Sequence, residues 1–215
     1  VNAPTGNTVA AAEHTLALML ALARHIPQAM GTLQQGRWER QRFRGVELAG
    51  KTLGVLGLGR VGSAVAQRVE ALGMRVLAYD PYVSAGTIPS DNIELTSFKE
   101  VLRQADFLTL HLPLTEETQG LISREALNMM KPGVRLINAA RGPLVDEQAL
   151  ADALVSGQVA GAALDVLAEE PCTDSPLLGL ENVIITPHLG ASTEEAQVHV
   201  AVEVAEQVAT ALAGR

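Results

Sequence analysis

Short apolar runs alternate with segments of helical periodicity through most of the chain after Gly50. The apolar runs are rich in Val, Leu, Ile and Ala, which is typical of strands buried on both faces. They are residues 52–56, 75–79, 107–110, 134–138, 160–166 and 183–186. The helical segments between them are residues 60–72, 97–104, 124–130 and 147–156. This alternation predicts an α/β fold, with a doubly wound, mostly parallel sheet and helices on both faces.

Two further helices are predicted towards the ends of the chain. Residues 8–24 are apolar nearly all round, which predicts a helix buried in the fold or against a partner subunit. Near the C-terminus, Ser192 and Glu195 form the pattern of a capping box. Apolar residues then recur at helical spacing and predict one apolar stripe. They are Val198, Val202, Ala205, Ala209 and Leu212.

Composition and charge narrow the function classes. The 215 residues are 47% hydrophobic, which is enough for a globular core. The net charge is −8 and the chain has no Lys/Arg run, so a surface that binds nucleic acid is not expected. The longest apolar run, residues 15–23, is far below the roughly 20 residues that span a bilayer, so no membrane association is expected. Cys172 is the single cysteine, so an intrachain disulfide is impossible and the cytoplasm is the expected compartment. It is not part of a pattern with metal-ligand spacing. No metal site is predicted.

A glycine-rich turn follows the first of these strands. Gly57, Gly59 and Gly62 form a G-x-G-x-x-G pattern between a strand and a helix. In a dinucleotide site the first glycine permits a tight turn, the second lets the backbone approach a pyrophosphate, and the third lets helix and strand pack closely. The pattern alone is also compatible with an ordinary glycine-containing turn. Its position between strand and helix favours a Rossmann-type dinucleotide-binding fold.

Asp80 ends the second strand, close to the spacing of about 20 residues at which an acidic residue meets the adenosine ribose. A carboxylate there accepts hydrogen bonds from the ribose hydroxyls and repels a 2′-phosphate. The alternative is an Asp that simply starts a turn with Pro81. The spacing favours the first interpretation and predicts NAD rather than NADP as the cofactor.

Reactive side chains follow three later strands. Arg141, Glu170 and His188 all lie beyond predicted strand ends, where the ligand crevice of an open α/β sheet is found. Arg can grip a carboxylate, His can accept a hydroxyl proton, and a carboxylate can orient the imidazole. Taken singly, each residue is equally well explained as a surface cation, a turn residue or a loop histidine. Together they predict the site of a 2-hydroxy acid dehydrogenase.

Several segments carry a specific resemblance. They are NAPTGNT from Asn2, AAEH from Ala11, GKTLGVLGLGRVG from Gly50, YDP from Tyr79, HLPLT from His111, NAARG from Asn138, LVDE from Leu144, EEP from Glu169 and PHLGAST from Pro187. Over essentially its whole length the chain resembles the D-2-hydroxyacid dehydrogenase family.

This resemblance implies roles for individual residues. Arg141 would anchor the substrate carboxylate, His188 would accept the proton and Glu170 would be the partner of His188. Asp165 would contact the nicotinamide carboxamide. The remaining residues implied to surround NAD, beside the three glycines, are Arg60, Val61, Asp80, Leu112, Ala139, Ala140 and Gly190.

Within the family, the 3-phosphoglycerate dehydrogenases are the most similar subfamily. In such enzymes the loop that here holds Arg40 and Arg42 helps to bind a substrate phosphate, sometimes across a dimer. From composition alone, that loop is a solvated basic segment. Pro143 stands where these enzymes commonly have a second glycine, which leaves a glyoxylate or hydroxypyruvate reductase open.

The resemblance also implies how the chain is divided into domains and how it assembles. Residues 1–7 would be a remnant of a substrate domain, 8–190 the NAD-binding domain with a dimerisation helix and loop, and 191–215 a C-terminal helix. We expect a small 2-hydroxy acid as substrate and a homodimer through residues 8–45, with a tetramer open for the full-length protein. Because most of the substrate domain is missing from this chain, we expect it to bind NAD with little or no turnover. Two alternatives are not enzymes. The chain could be an NAD-sensing module, like the corepressors of this fold, or a unit that serves mainly for dimerisation.

Overall fold

A computed structural model describes residues 6–84 and 92–212. Within these residues, seven strands form one sheet in which every neighbouring pair is parallel. The strands are β1 (Thr52–Leu56), β2 (Arg75–Tyr79), β3 (Ile93–Leu95), β4 (Phe107–Leu110), β5 (Val134–Asn138), β6 (Val159–Leu164) and β7 (Val183–Ile185). Their order is β3-β2-β1-β4-β5-β6-β7. The strand order reverses between β1 and β4, so a ligand crevice is expected at the carboxyl ends of these two strands.

Helices cover both faces of this sheet. They are α1 (Thr8–Ala23), α2 (Ile26–Gln34), α3 (Arg60–Glu70), α4 (Phe98–Gln104), α5 (Arg124–Met129), α6 (Glu147–Ser156) and α7 (Glu194–Leu212). Helices α1 and α3 pack together on one face, whereas α4, α5 and α6 form the layer on the other.

The core consists of two apolar clusters, one on each side of the sheet. Because side chains alternate along a strand, Leu53 and Val55 of β1 join the cluster under α1 and α3, whereas Leu56 joins the cluster under α4–α6. Strands with apolar side chains on both faces can exist only between two layers of helices. The predicted fold class, a doubly wound Rossmann-type sheet, is therefore confirmed.

The predicted boundaries agree closely with the structure in the centre of the sheet. Strands β1, β2, β4 and β5 and helix α6 begin and end at the predicted residues. The edge strand β3 and the helix α2 were not among the predicted elements. Residues 1–5, which are most of the predicted substrate-domain remnant at residues 1–7, lie outside the described residues.

The start of the C-terminal helix corrects one expectation. Thr193, rather than Ser192, caps α7: its Oγ1 accepts a hydrogen bond from the backbone N–H of Ala196 at 3.1 Å. The cap therefore lies one residue later than the capping-box pattern indicated. The predicted stripe is largely exposed, since Ala196 is the one buried residue among those of α7 that the structure describes.

Within residues 6–84 and 92–212, none of the helices combines the length and the hydropathy that a bilayer crossing requires.

Candidate active site

The glycine-rich turn begins where β1 ends. Gly57 has a left-handed φ of +93°, and its N–H donates to the carbonyl oxygen of Tyr79 at 2.8 Å. A Cβ at Gly57 would lie 2.6 Å from the carbonyl oxygen of His111, and a Cβ at Gly62 would lie 2.0 Å from the carbonyl oxygen of Gly57. Gly57 is therefore required by its positive φ and by this close approach, whereas Gly62 is required by the close approach alone.

Gly59 differs from its two neighbours in the motif. It is the N-cap of α3, but no side chain among the described residues caps the helix there, and a Cβ added to Gly59 would meet nothing within 4 Å. The first turn, which starts with Arg60 and Val61, thus begins beside open space. Uncapped amides at a helix N-terminus are a binding site for phosphate groups, so this end of α3 fits the pyrophosphate of a dinucleotide.

Asp80 lies directly beside the glycine-rich turn. Its Oδ2 accepts a hydrogen bond from the Leu58 N–H at 2.8 Å, and its Oδ1 accepts one from the Tyr82 N–H at 2.9 Å. A carboxylate offers about four acceptor positions, so each oxygen retains capacity for a further donor. The side chain is thus fixed at the edge of the turn and can still accept hydrogen bonds from ribose hydroxyls.

His111 follows β4 on the other side of the crevice. Its Nε2 lies 3.0 Å from the hydroxyl of Thr109, which is fully buried. Burial lowers the pKa of His111 to about 4. The imidazole is therefore neutral near pH 7. The next residue, Leu112, would come within 3.1 Å of a Cβ at Gly57, which places it beside the first turn of the motif.

Buried Asn138 shapes the loop that follows β5. Its side-chain amide donates to the carbonyl oxygen of Arg141 at 2.9 Å, and its Oδ1 accepts from the N–H of Ala140 at 3.0 Å. These bonds close the turn through Ala139 and Ala140 and leave the Arg141 side chain exposed, with Nη1 on the Ala140 carbonyl oxygen at 2.6 Å. Next, a Cβ on Gly142 would lie 1.8 Å from the carbonyl oxygen of Leu167. The Arg141 loop thus packs directly on the loop that carries Glu170.

His188 and Glu170 form a hydrogen-bonded pair. His188 Nδ1 lies 2.7 Å from Glu170 Oε2, and Glu170 Oε1 accepts from the N–H of Leu167 at 3.1 Å. The His188 N–H bonds to the carbonyl oxygens of Asp165 and Thr186, and the residue has a left-handed φ of +56°. Since Nδ1 faces the carboxylate, Nε2 is the ring nitrogen left for a substrate.

Asp165, the next residue after β6, is 1% exposed and is surrounded by donors. Its Oδ1 accepts from Thr186 Oγ1 at 2.5 Å, from the Leu189 N–H at 2.8 Å and from His14 Nε2 at 3.0 Å. Its Oδ2 accepts from the Gly190 N–H at 2.7 Å. The Gly190 amide thus holds Asp165 in place. His14 was not among the predicted site residues, although it lies within the quoted AAEH segment.

A cavity of about 580 Å³ adjoins these side chains. Polar groups of Asp165, Glu170, Thr186 and His188 line one part of it, and apolar groups such as Leu178 line another. The structure therefore brings Glu170, His188 and Asp165 to one cavity, with the Arg141 loop packed against its wall.

The two arginines predicted to bind phosphate lie elsewhere. Arg40 and Arg42 are in a 3-10 helical turn, Arg40–Phe43, and neither lines the cavity beside His188. Arg42 forms ion pairs with Glu39 at 3.0 Å and with Glu181 at 2.6 Å, and these carboxylates raise its pKa. Arg40 is exposed, and no carboxylate of the described residues pairs with it. Within one copy of the chain, these residues are not brought to the His188 site.

Residues 6–84 and 92–212 contain no group of three or more His, Cys, Asp or Glu side chains that could hold a metal ion.

Comparison with known proteins gives a family and close relatives. The family model for the D-isomer specific 2-hydroxyacid dehydrogenase, NAD binding domain, matches residues 16–190. A D-3-phosphoglycerate dehydrogenase of Mycobacterium tuberculosis is 58% identical over 214 residues. That match covers 100% of this chain but only 40% of the relative, so the chain spans less than half of the relative's length.

Solved structures have the same fold. A glyoxylate reductase from Paecilomyes thermophila has a TM-score of 0.92 at 34% identity, covering 97% of this chain and 63% of that one. A D-lactate dehydrogenase from Aquifex aeolicus, complexed with NAD and lactic acid, has a TM-score of 0.90 at 34% identity, covering 98% of this chain and 68% of that one.

Proposed function

This chain belongs to the D-isomer specific 2-hydroxyacid dehydrogenase family, whose NAD-binding domain it represents, and from that premise we propose that it supplies the cofactor site and the proton-transfer pair of a D-3-phosphoglycerate dehydrogenase. The reaction of the full-length enzyme is the NAD-linked oxidation of D-3-phosphoglycerate to 3-phosphohydroxypyruvate. The choice of substrate rests on relatives of that name at 51–58% identity, which favour it over a glyoxylate or hydroxypyruvate reductase.

The 2.7 Å contact between His188 Nδ1 and Glu170 Oε2 is the observation that carries the proposal. Bound NAD would supply the hydride acceptor for C2 of the hydroxy acid, held at the glycine-rich turn and Asp80. His188 takes the hydroxyl proton at Nε2, and the Glu170 carboxylate stabilises the imidazolium that results. Because Glu170 is itself held by the Leu167 N–H, the ring is oriented before a substrate arrives.

Arg141 has the remaining role in catalysis. Its guanidinium is exposed at the carboxyl end of β5, on a loop that packs against the Glu170 loop. A planar guanidinium binds a carboxylate through two parallel hydrogen bonds, which fixes the orientation of the substrate as well as its position. Arg141 thus anchors the substrate carboxylate while His188 faces the hydroxyl at C2.

In this proposal, the full-length enzyme adds a partner subunit and a substrate domain to the site described above. A homodimer forms through residues 8–45, and Arg40 and Arg42 contribute to the phosphate site of the partner copy. Arg40 is exposed and is not among the residues that line the cavity of its own chain, which supports a contact across the dimer. The largely exposed stripe of α7 supports a substrate domain that completes the site.

The decisive test is a steady-state assay on the full-length enzyme with NAD. D-3-phosphoglycerate is compared with unphosphorylated D-2-hydroxy acids, and we expect a large preference for the phosphorylated acid in kcat/KM. His188→Ala is expected to lower kcat by about 10²–10⁴-fold, the usual contribution of general acid–base catalysis, with little change in NADH affinity. Near-normal turnover by that variant would exclude the proton-transfer role.

The 215-residue chain itself provides a second test. We expect it to bind NADH, measured by fluorescence titration, and to oxidise D-3-phosphoglycerate slowly or not at all. Rapid turnover by this chain would contradict the need for a further substrate domain.

A further inference from the structure

His14 connects the first helix of the chain to the far end of the sheet. Its side chain is 19% exposed, and its Nε2 lies 3.0 Å from Asp165 Oδ1 and 3.2 Å from Thr186 Oγ1. These two residues follow β6 and β7, so a single side chain on α1 contacts both strand ends beside the cavity.

The hydrogen bonds determine which atom of His14 carries a hydrogen. The Thr186 hydroxyl donates its one hydrogen to Asp165 Oδ1, so towards His14 it can only accept. The Asp165 carboxylate also only accepts. His14 Nε2 therefore carries a hydrogen and donates to both groups, in the neutral ring as well as in the imidazolium.

The same two residues support His188. The His188 N–H donates to the carbonyl oxygen of Asp165 at 2.9 Å and to that of Thr186 at 3.0 Å. Any displacement of Asp165 and Thr186 thus moves the carboxylate in the cavity wall and the backbone of the catalytic histidine together.

We propose that His14 is a positioning residue: its Nε2–H fixes the Asp165 carboxylate and the Thr186 hydroxyl against the nicotinamide end of the cofactor. The inference rests on the proposed function, because it takes the cavity of Asp165 and His188 as the nicotinamide site. His14 is not among the residues that line the cavity, so it acts through Asp165. Without His14, Asp165 Oδ1 keeps the Thr186 hydroxyl and the Leu189 N–H as donors, so the carboxylate remains bonded but is less constrained on the side of α1.

The test compares ligands with and without a nicotinamide. ADP-ribose carries the adenosine, the pyrophosphate and the second ribose, but no nicotinamide. In the 215-residue chain, we expect His14→Leu to weaken NADH binding by about tenfold, because the less constrained Asp165 carboxylate must then be ordered when the nicotinamide binds. ADP-ribose affinity should stay within about twofold of the wild type, since its binding groups lie at Gly59, Asp80 and the start of α3.

Two variants make the result specific. His14→Gln keeps an N–H donor at nearly the same reach and is expected to restore most of the NADH affinity. Glu13→Gln alters the adjacent, exposed residue of α1 and is expected to leave both affinities unchanged. Titration calorimetry measures ADP-ribose, and NADH fluorescence measures the reduced dinucleotide.

The outcomes separate this inference from the proposed function. An equal loss of NADH and ADP-ribose affinity in His14→Leu would show that His14 only maintains the fold, and unchanged NADH affinity would show that it has no positioning role. Either result overturns the inference alone. Failure of the wild-type chain to bind NADH or ADP-ribose would overturn the proposed function and the inference with it.

Discussion

At the residue scale, Gly59 and Gly62 lie in one turn of chain but face opposite surroundings. A Cβ at Gly59 meets nothing within 4 Å, whereas a Cβ at Gly62 lies 2.0 Å from a carbonyl oxygen. We expect Gly59→Ala to fold with an unchanged Tm and to bind NADH about tenfold more weakly, because the methyl group occupies the space that the pyrophosphate needs. The change is measured by NADH titration beside thermal unfolding.

Gly62→Ala serves as the matched variant. Here we expect the fold itself to lose about 1–3 kcal/mol, the usual cost of forcing an extra methyl group into a packed contact. Urea unfolding measures that loss. The assignment of the two glycines would be wrong if Gly59→Ala destabilised the fold as much as Gly62→Ala does.

His111 makes stability dependent on acid. Burial lowers its pKa from 6.5 to about 4, so the unfolded chain binds a proton at a higher pH than the folded chain does. Stability from this group is therefore complete above pH 6.5, decreases as the pH falls, and is fully lost near pH 4. We expect the loss to be on the order of 3 kcal/mol, since each pKa unit corresponds to about 1.4 kcal/mol. Urea unfolding of His111→Gln at several pH values should show a shallower decline than the wild type.

His199 provides the control for this measurement. It lies exposed on α7, so His199→Gln should retain the pH dependence of the wild type. Identical pH profiles for wild type and His111→Gln would show that another group causes the acid sensitivity.

At the element scale, Glu147 joins α6 to the loop that carries Glu170. Its Oε1 accepts from the Ala168 N–H at 2.6 Å, and its Oε2 accepts from the Ser175 hydroxyl at 2.6 Å. We expect Glu147→Ala to cost about 1–3 kcal/mol of local stability, because two hydrogen bonds to one carboxylate are lost. Amide hydrogen exchange should become faster across residues 167–175, and kcat of the full-length enzyme should decrease as Glu170 loses its fixed position.

Gln148→Ala is the control for this loop. Gln148 is the next residue of α6, is exposed, and bonds only to Asp152 on its own helix among the described residues. Slow exchange across residues 167–175 in Glu147→Ala would mean that the loop is held by its own packing instead.

The sequence predicts the centre of this fold better than its edges. Strands β1, β2, β4 and β5 are apolar runs between helical segments, so their boundaries follow from composition and turn residues alone. The edge strand β3 has only three residues, too few for a pattern, and in the described part of the chain it pairs only with β2. The cap of α7 was misplaced by one residue because Ser192 and Thr193 are both good N-caps, and only the geometry of the turn distinguishes them.

The residues of the candidate site also differ in how well the sequence predicts their positions. Glu170 and His188 follow strands, so sheet topology brings them to one crevice, and their pairing could be anticipated. His14 could not be placed in this way. Its partner Asp165 is 151 residues away, and the contact depends on how α1 crosses the sheet. Within an apolar helix, a lone histidine gives no signal of which strand end it meets.

At the scale of the whole molecule, α2 presents an apolar face to solvent. Ile26, Met30 and Leu33 recur at helical spacing and are 53%, 56% and 55% exposed. Apolar side chains grouped on one helix face are a feature of protein–protein contacts. They lie within residues 8–45, where we propose the homodimer. The same N-terminal unit carries His14, so the proposed dimer contact lies on α2 and the proposed positioning residue of the nicotinamide site lies on the adjoining helix α1.

This arrangement separates assembly from cofactor binding. Glutamates at Met30 and Leu33 place like charges at the proposed contact between copies, so the double variant M30E/L33E should sediment as a monomer at concentrations where the wild type is a dimer. NADH affinity should stay within about twofold of the wild type, because α2 contributes no residue to the cavity of His188. Val155→Glu, at a 77% exposed position on α6, introduces a similar charge outside residues 8–45 and should leave the dimer intact.

A wild-type chain that sediments as a monomer, or a double variant that remains a dimer, would exclude this face as the interface. A double variant that dissociates and also loses NADH would instead show that the dimer supports the nicotinamide site, through the helix that carries His14.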